Sequence, residues 1–391
     1  MRPLQPREIL PGEGSLRGSQ CGGRSSQLVV MHICTSCAPY GGIWTYIQQI
    51  SLSCLAEEFH FETSLYPRSR WGHIGALVEL VRSVRKCRPD LVHVHGLQLE
   101  GFFGVLAARI AGVSRVLVTI HGFVEDCRVR QVWRRGVVAR IFEPLTLNLA
   151  TAFFCVSAYG TTKRVVRQHP RKTLGVVNNG LAPISSGKLF DSSREPPGCA
   201  VKAAVTLLYV GRITRDKGIL DLPPVLAKAR ALSGVDIRAV LVGDGPAMEE
   251  LRLCIDSYKV ADIVSLVGYQ NDPLVYFQTA DIFVLPSRHE HQSYSILEAM
   301  RCALPVVAYA VGGNAELVIP GVTGYLAKAN DIDGLAQHVA ELAGNVSLRK
   351  VLGGSGCERW ANEFSSNLFV KSIRIKYRQI LSGENDSKSV R

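Results

Sequence analysis

Short runs of β-branched and aliphatic residues recur along nearly the whole chain, with helix-length segments between them. Leu28–Cys34, Leu91–His95, Val116–Ile120 and Phe153–Val156 are such runs in the first half. Thr206–Val210, Ile237–Val242, Ile263–Val267, Ile282–Leu285 and Pro305–Ala308 follow in the second. Segments such as Ile74–Cys87 and Phe102–Ala111 separate them. A run that is apolar at consecutive positions is buried on both faces, and a helical spacer returns the chain to begin the next strand in the same direction. The pattern predicts an α/β protein built on parallel sheets with helices on both sides.

The alternation breaks once. Leu181–Ala203 contains Pro183, Ser185, Ser186, Gly187, Pro196, Pro197 and Gly198, which is the composition of a linker. A chain of 391 residues exceeds what one hydrophobic core usually organises. Two doubly wound, Rossmann-like domains facing a cleft are therefore expected, over 28–182 and 204–357, with the linker at 183–203. A helix over 358–381 is expected to return and brace the first domain, leaving a tail at 382–391. Residues 1–27, rich in Pro, Gly, Ser and Arg, lack the apolar segment of a secretory signal and read as a disordered extension. Met31, inside the first strand run, is a candidate natural start.

The eleven cysteines are odd in number and scattered, unlike a disulfide framework. Cys34 and Cys37 form a CxxC with no second pair to complete a zinc site, so they read as small residues at a strand end. No stretch of about 18 uncharged apolar residues suggests a membrane span. A cytoplasmic location follows, with docking on the inner face of the membrane as an extension of it. The charge is uneven: residues 28–190 hold nineteen basic and nine acidic side chains, and residues 191–391 hold 22 of each. A basic first domain points to an anionic acceptor or an anionic lipid surface. Nucleic acid is not expected, because no module for it is recognisable.

Parallel sheets bind ligands beyond the carboxyl ends of their strands, so the residues there carry the chemistry. Gly41 and Gly42 follow the first strand and open a helix, where backbone N–H groups can approach a phosphate. His95 and His121 each end a strand and precede a glycine. Each is either a hydrogen-bonded core imidazole or a site residue. His93 and His95 share a strand face, but two ligands without a third make a poor metal site. After Thr206–Val210 comes Gly211-Arg212-Ile213-Thr214-Arg215-Asp216-Lys217-Gly218. Arg212 offers a bidentate fork and Lys217 a point charge for a departing diphosphate. The one Asp-x-Asp, Asp331-Ile332-Asp333, precedes a helix and reads as its N-terminal cap, not as a metal motif. Beyond Ile282–Leu285, Glu290 and Glu298 stand eight positions apart. Ser295 and Glu298 have the spacing of a capping box, and carboxylates suit the hydroxyls of sugars and ribose.

Gly211–Gly218 resembles the GRxxxxKG segment, and Glu290–Glu298 the Ex7E motif, of retaining glycosyltransferases of family four with the GT-B fold. Val242-Gly243-Asp244-Gly245-Pro246, Leu304-Pro305-Val306-Val307 and Gly312-Gly313-Asn314-Ala315-Glu316 follow that family in order. The resemblance implies a hexose donor bound as a nucleotide diphosphate sugar, with UDP or GDP, and no metal or other cofactor. It implies a donor site of Gly41, Gly42, Arg212, Lys217, Gly243, Glu290 and Glu298. The first domain's His121 would lie beside the transferred sugar and share the catalysis with Glu290, Arg212 and Lys217. The partner substrate would be a glycan, lipid-linked in bacterial cell-surface or extracellular polysaccharide synthesis.

Two departures stand out. His291-Gln292-Ser293 replaces the common Gly-Phe-Gly, and Ala303 replaces the Gly before Leu-Pro-Val. Both are expected to border the donor pocket and alter its sugar. The alternatives are a soluble small-molecule acceptor, a GT-B sugar-nucleotide epimerase or a non-catalytic scaffold. A nicotinamide dehydrogenase is disfavoured by the missing GxGxxG. The membrane-facing candidates are Arg82, Arg85, Lys86 and Arg88, and then Arg128, Arg130, Arg134, Arg135 and Arg140 around Trp133.

Overall fold

A computed structural model describes residues 27–35, 41–126, 136–184 and 204–383. Most of the linker, the N-terminal extension, Cys37 and the basic stretch from Arg128 to Arg135 lie outside them. Among the described residues twelve strands build two sheets, and every pairing between these strands is parallel. The first holds β1 (Leu28–Cys34), β2 (Phe59–Leu65), β3 (Leu91–His95), β4 (Val116–Ile120), β5 (Ala152–Cys155) and β6 (Thr173–Val176). The second holds β7 (Val205–Val210), β8 (Ile237–Val242), β9 (Val264–Gly268), β10 (Ile282–Leu285), β11 (Val306–Tyr309) and β12 (Gly324–Ala327). The spatial orders are β2-β1-β3-β4-β5-β6 and β12-β11-β10-β7-β8-β9.

Each order reverses direction at one point, between β1 and β3 in the first sheet and between β7 and β10 in the second. Connections leave on opposite faces there, and a crevice opens at the strand ends. That crevice is where Gly211–Gly218 and Glu290 emerge.

Alternation along the first-domain strands sorts side chains onto two covered faces. Met31, Ile33, Val92, Val94, Val116 and Val118 pack on one side. Val30, Leu91, Leu117 and Phe154 pack on the other, beneath Phe369, Val370, Ile373, Tyr377 and Ile380 of the C-terminal helix. The single helix expected over 358–381 is two helices, Val346–Glu363 and Ser366–Ser382. They are interrupted where the chain crosses between domains. There Leu181 N–H donates to the Phe364 carbonyl at 3.0 Å and Ser366 N–H to the Leu181 carbonyl at 2.9 Å. Gly180 permits the crossing, since a β-carbon on it would sit 2.8 Å from the Ser365 carbonyl oxygen and 2.5 Å from Phe369 Cβ.

Candidate active site

The loops after β7 and β10 meet at the switch point of the second sheet. Gly218 has φ 65°, and a β-carbon there would lie 1.8 Å from the Pro286 carbonyl oxygen, so only glycine allows the approach. Arg288 holds the loops together through a 2.6 Å bond to Asp221, its own N–H donating to the Asp216 carbonyl at 3.0 Å. In this frame Lys217 Nζ lies 2.6 Å from Glu290 Oε1, with both side chains largely buried. Arg212 stays 71% exposed, 3.6 Å from Asp216, so its fork is free to meet an anion.

Across the cleft stands the loop after β4. A cavity of about 820 Å³ is lined by His121 and Asp126 from the first domain and by Arg212, Lys217, Glu290 and His291 from the second. His291 Nε2 lies 3.2 Å from Asp126 Oδ2, and Gly122 gives its ring room, since a β-carbon there would come within 3.2 Å of it. Burial alone would raise the Asp126 carboxyl, but His291 and the Lys163 ammonium outweigh it and hold the group well below the usual carboxylate range. Burial lowers His121 to about 3, so its imidazole is neutral.

Two other residues join the domains. Glu316 accepts from Ala158 N–H at 2.8 Å and Tyr159 N–H at 2.5 Å. Gln292 accepts from Asn179 N–H at 2.5 Å and donates to Asn178 Oδ1 at 3.1 Å. The replacement of the common aromatic by Gln292 thus serves the segment between the domains as well as the cavity wall. Ala303 does not border the cavity, contrary to expectation. It follows the Tyr294–Arg301 helix at φ 55°, the left-handed position where glycine usually ends a helix.

The remaining expected site residues are more spread. Gly41, at φ 91°, precedes the Gly42–Ser51 helix, and Gly42 sits within 3.4 Å of the Tyr294 ring from the second domain for any added β-carbon. Gly243 N–H is already bonded to the Gly268 carbonyl at 2.9 Å, and a β-carbon on it would meet the Gly211 carbonyl oxygen at 1.8 Å. It lines a smaller cavity of about 180 Å³ beside Arg212. Glu298 is half-buried in the Tyr294–Arg301 helix, and burial raises its carboxyl to about 7, Arg301 opposing and Asp272 adding to the shift. It is not part of a capping box with Ser295. The cap is Ser293, whose hydroxyl accepts from Ile296 N–H. Asp331 does cap its helix, accepting from Gly334 N–H at 2.9 Å, while Asp333 pairs with Lys228.

Among the described residues, two groups bring three metal-capable atoms within 4.8 Å of one another: His32, His93 and His95, and Asp126, His289 and His291. His32 of β1 supplies the third member beside His93 and His95 of β3. His93, however, has both nitrogens engaged, by Tyr377 hydroxyl at 2.8 Å and Thr119 hydroxyl at 2.6 Å. In the second group Asp126 already holds Lys163 at 2.6 Å. Asp126 and His289 were not legible as site residues, whereas His291 was expected at the donor pocket and does line the cavity. The two histidines flanking Glu290 were the available signal.

The second half of the chain, residues 200–358, matches the family model described as glycosyl transferases group 1, and residues 53–183 match glycosyltransferase family 4. The chain belongs to glycosyltransferase family four. This glycosyltransferase is 28% identical to N-acetyl-alpha-D-glucosaminyl L-malate synthase of Bacillus anthracis, over 76% of this chain and 77% of that one. It is 29% identical to the UDP-Gal:alpha-D-GlcNAc-diphosphoundecaprenol alpha-1,3-galactosyltransferase of Escherichia coli, over 66% and 67%. The Anabaena HepE structure in complex with UDP and glucose shares the GT-B fold, with a TM-score of 0.76 at 19% identity, over 90% of this chain and all of that one. The enzyme therefore uses a nucleotide sugar and transfers a hexose within a retaining family. No helix among the described residues is long and apolar enough to cross a membrane.

Proposed function

We propose that the enzyme moves a hexose, with retention and without a metal, from a UDP- or GDP-sugar to a lipid-linked glycan in bacterial polysaccharide assembly. The observation that carries the reading is the Lys217–Glu290 pair at the switch point, beside an open Arg212 and facing His121 across the cleft. Arg212 and Lys217 would hold the diphosphate, with backbone N–H groups at the helix start of Gly41 and Gly42 assisting from the first domain. Glu290 would accept hydrogen bonds from the transferred sugar and Glu298 from the ribose. Gly243 would shape the donor pocket beside Arg212. Same-side attack lets the departing phosphate take the acceptor's proton.

The lipid-linked acceptor is supported by the name of the Escherichia coli relative and by the surface of the first domain. Arg82, Arg85, Lys86 and Arg88 are exposed along and after the Gly72–Cys87 helix. Trp71 and Ile74, at its start, are 74% and 72% exposed. Apolar side chains at one end of a helix and basic ones along and after its other end suit an anionic headgroup layer. A small-molecule acceptor is the second reading, favoured by the Bacillus anthracis relative. Turnover of UDP- and GDP-sugars against lipid-linked and soluble acceptors tests both, with product anomers read by NMR. Transfer to soluble acceptors alone would replace the first reading by the second.

A further inference from the structure

His121 is the outer member of a file of three imidazoles. Its Nε2 lies 3.4 Å from Nδ1 of His95, and Nε2 of His95 lies 2.8 Å from Nδ1 of His32. The file runs from the cleft wall across the ends of β4, β3 and β1, on the sheet face that the returning helix covers. His32 and His95 are wholly buried, and Nε2 of His32 has no hydrogen-bond partner. Burial keeps all three rings neutral, His32 and His121 near 3 and His95 well below its ordinary value. His93, beside them, is outside the file because Tyr377 and Thr119 take both its nitrogens.

Three neutral imidazoles carry three ring protons. Each of the two inter-ring hydrogen bonds uses one. The third proton therefore sits at an end of the file, on Nε2 of His32 or on Nδ1 of His121. On His32 it would be a buried donor with nothing to accept it, which folded proteins avoid more strictly than a bare acceptor. On His121 it reaches the cleft, where water or a substrate oxygen can accept it. The direction of both bonds follows: His32 donates to His95, and His95 donates to His121.

We propose that His95 and His32 are positioning residues that fix His121 as the tautomer protonated on Nδ1, presenting an N–H donor to the nucleotide sugar. This rests on the placing of His121 beside the transferred sugar. An imidazole held in this way donates to a sugar or phosphate oxygen and does not collect the acceptor's proton, which is left to the departing phosphate.

The test is nitrogen-15 NMR of the full-length protein labelled in histidine, with His121 assigned through its loss in His121→Gln. The expected result is a protonated Nδ1 and a bare Nε2 on His121. A protonated Nε2 in the unmodified protein overturns the proposal, and this measurement requires no variant to fold beyond the assignment. His95→Phe removes the donating ring, and an isolated imidazole favours Nε2–H. The tautomer should then switch and kcat fall by about 10- to 100-fold, with UDP affinity unchanged. His95→Gln, whose amide can still donate, should recover most of the rate. An unchanged tautomer in His95→Phe overturns the proposal. If His121→Ala leaves turnover intact while the tautomer is as expected, the file's control of His121 stands and its place beside the sugar falls.

Discussion

Lys217 Nζ and Glu290 Oε1 lie 2.6 Å apart although their loops leave the ends of different strands, β7 and β10. The pair spans the point where the second sheet reverses its winding, so the charge proposed for the diphosphate and the acceptor proposed for the sugar sit side by side. Lys217→Met should lower kcat/KM by about 10²–10³-fold, the cost of losing one fixed charge on a developing anion. Glu290→Gln should lower turnover with little change in UDP or GDP affinity, whereas Glu298→Gln should weaken the nucleotide. Calorimetric titration of both variants decides this, and equal loss of nucleotide affinity in the two contradicts the division.

A second carboxyl governs stability more than chemistry. Glu143 is 1% exposed, accepts from Val124 N–H at 2.7 Å, and is raised by burial to about 7. Between its ordinary value and about 7 the folded state binds a proton that the unfolded chain has released. Stability therefore falls as pH rises through that window and levels off above it. Glu143→Gln can keep the acceptor for Val124 without the charge. It should gain up to about 3 kcal/mol at pH 8 and nothing at pH 4. Denaturant melts at the two pH values measure the difference, and equal gains at both would contradict the assignment.

Ala303 supplies a simpler expectation. Its φ of 55° places a β-carbon in the left-handed region after a helix, where Leu304 N–H returns to the Ala299 carbonyl at 3.0 Å. Ala303→Gly should stabilise the fold by about 1 kcal/mol and leave the donor sugar unchanged. An altered sugar preference would return this position to the pocket.

Activity should survive EDTA. On the proposed reading Arg212 and Lys217, which line the cavity, supply the positive charge a metal would otherwise provide, and Asp331 is occupied in capping its helix. Loss of turnover in chelator, restored by manganese or magnesium, would overturn the metal-free mechanism and draw attention to Asp126, His289 and His291.

The interior strands were legible because both faces are covered and most positions are apolar, with His32, His93, His95 and Thr119 among the exceptions. The three missed strands, β2, β6 and β12, are all sheet edges. β2 reads Phe-His-Phe-Glu-Thr-Ser-Leu, with polar residues admitted on its exposed side. The site divides the same way. His121 directly follows β4, and Arg212, Lys217 and Glu290 lie in the loops after β7 and β10, so topology brings them to the cleft. Asp126 with His291, and His32 with His95, meet through the packing of distant segments, and no local pattern announces that. The capping box failed because Ser293, Ser295 and Glu298 allow two helix starts, and the geometry of the Glu290 loop chooses the earlier one.

The last expectation concerns the membrane. If the exposed face of the Gly72–Cys87 helix docks on lipid, vesicle binding should require anionic lipid and fade as salt rises, because screening shortens to about 8 Å at physiological ionic strength. Replacing Arg82, Arg85 and Lys86 by Gln should weaken binding by about 3 kcal/mol at most, each contributing about 1 kcal/mol near the surface. Trp71→Ser should weaken it at high salt as well, since its ring is 74% exposed and its contribution is apolar. Donor binding should be untouched in all of them, because Arg212, Lys217 and Glu290 lie in the other domain. Sedimentation with vesicles reads the outcome. No binding to anionic vesicles at low salt would remove the lipid surface from the reading and favour the soluble acceptor, leaving the excess charge of residues 28–190 to the acceptor itself.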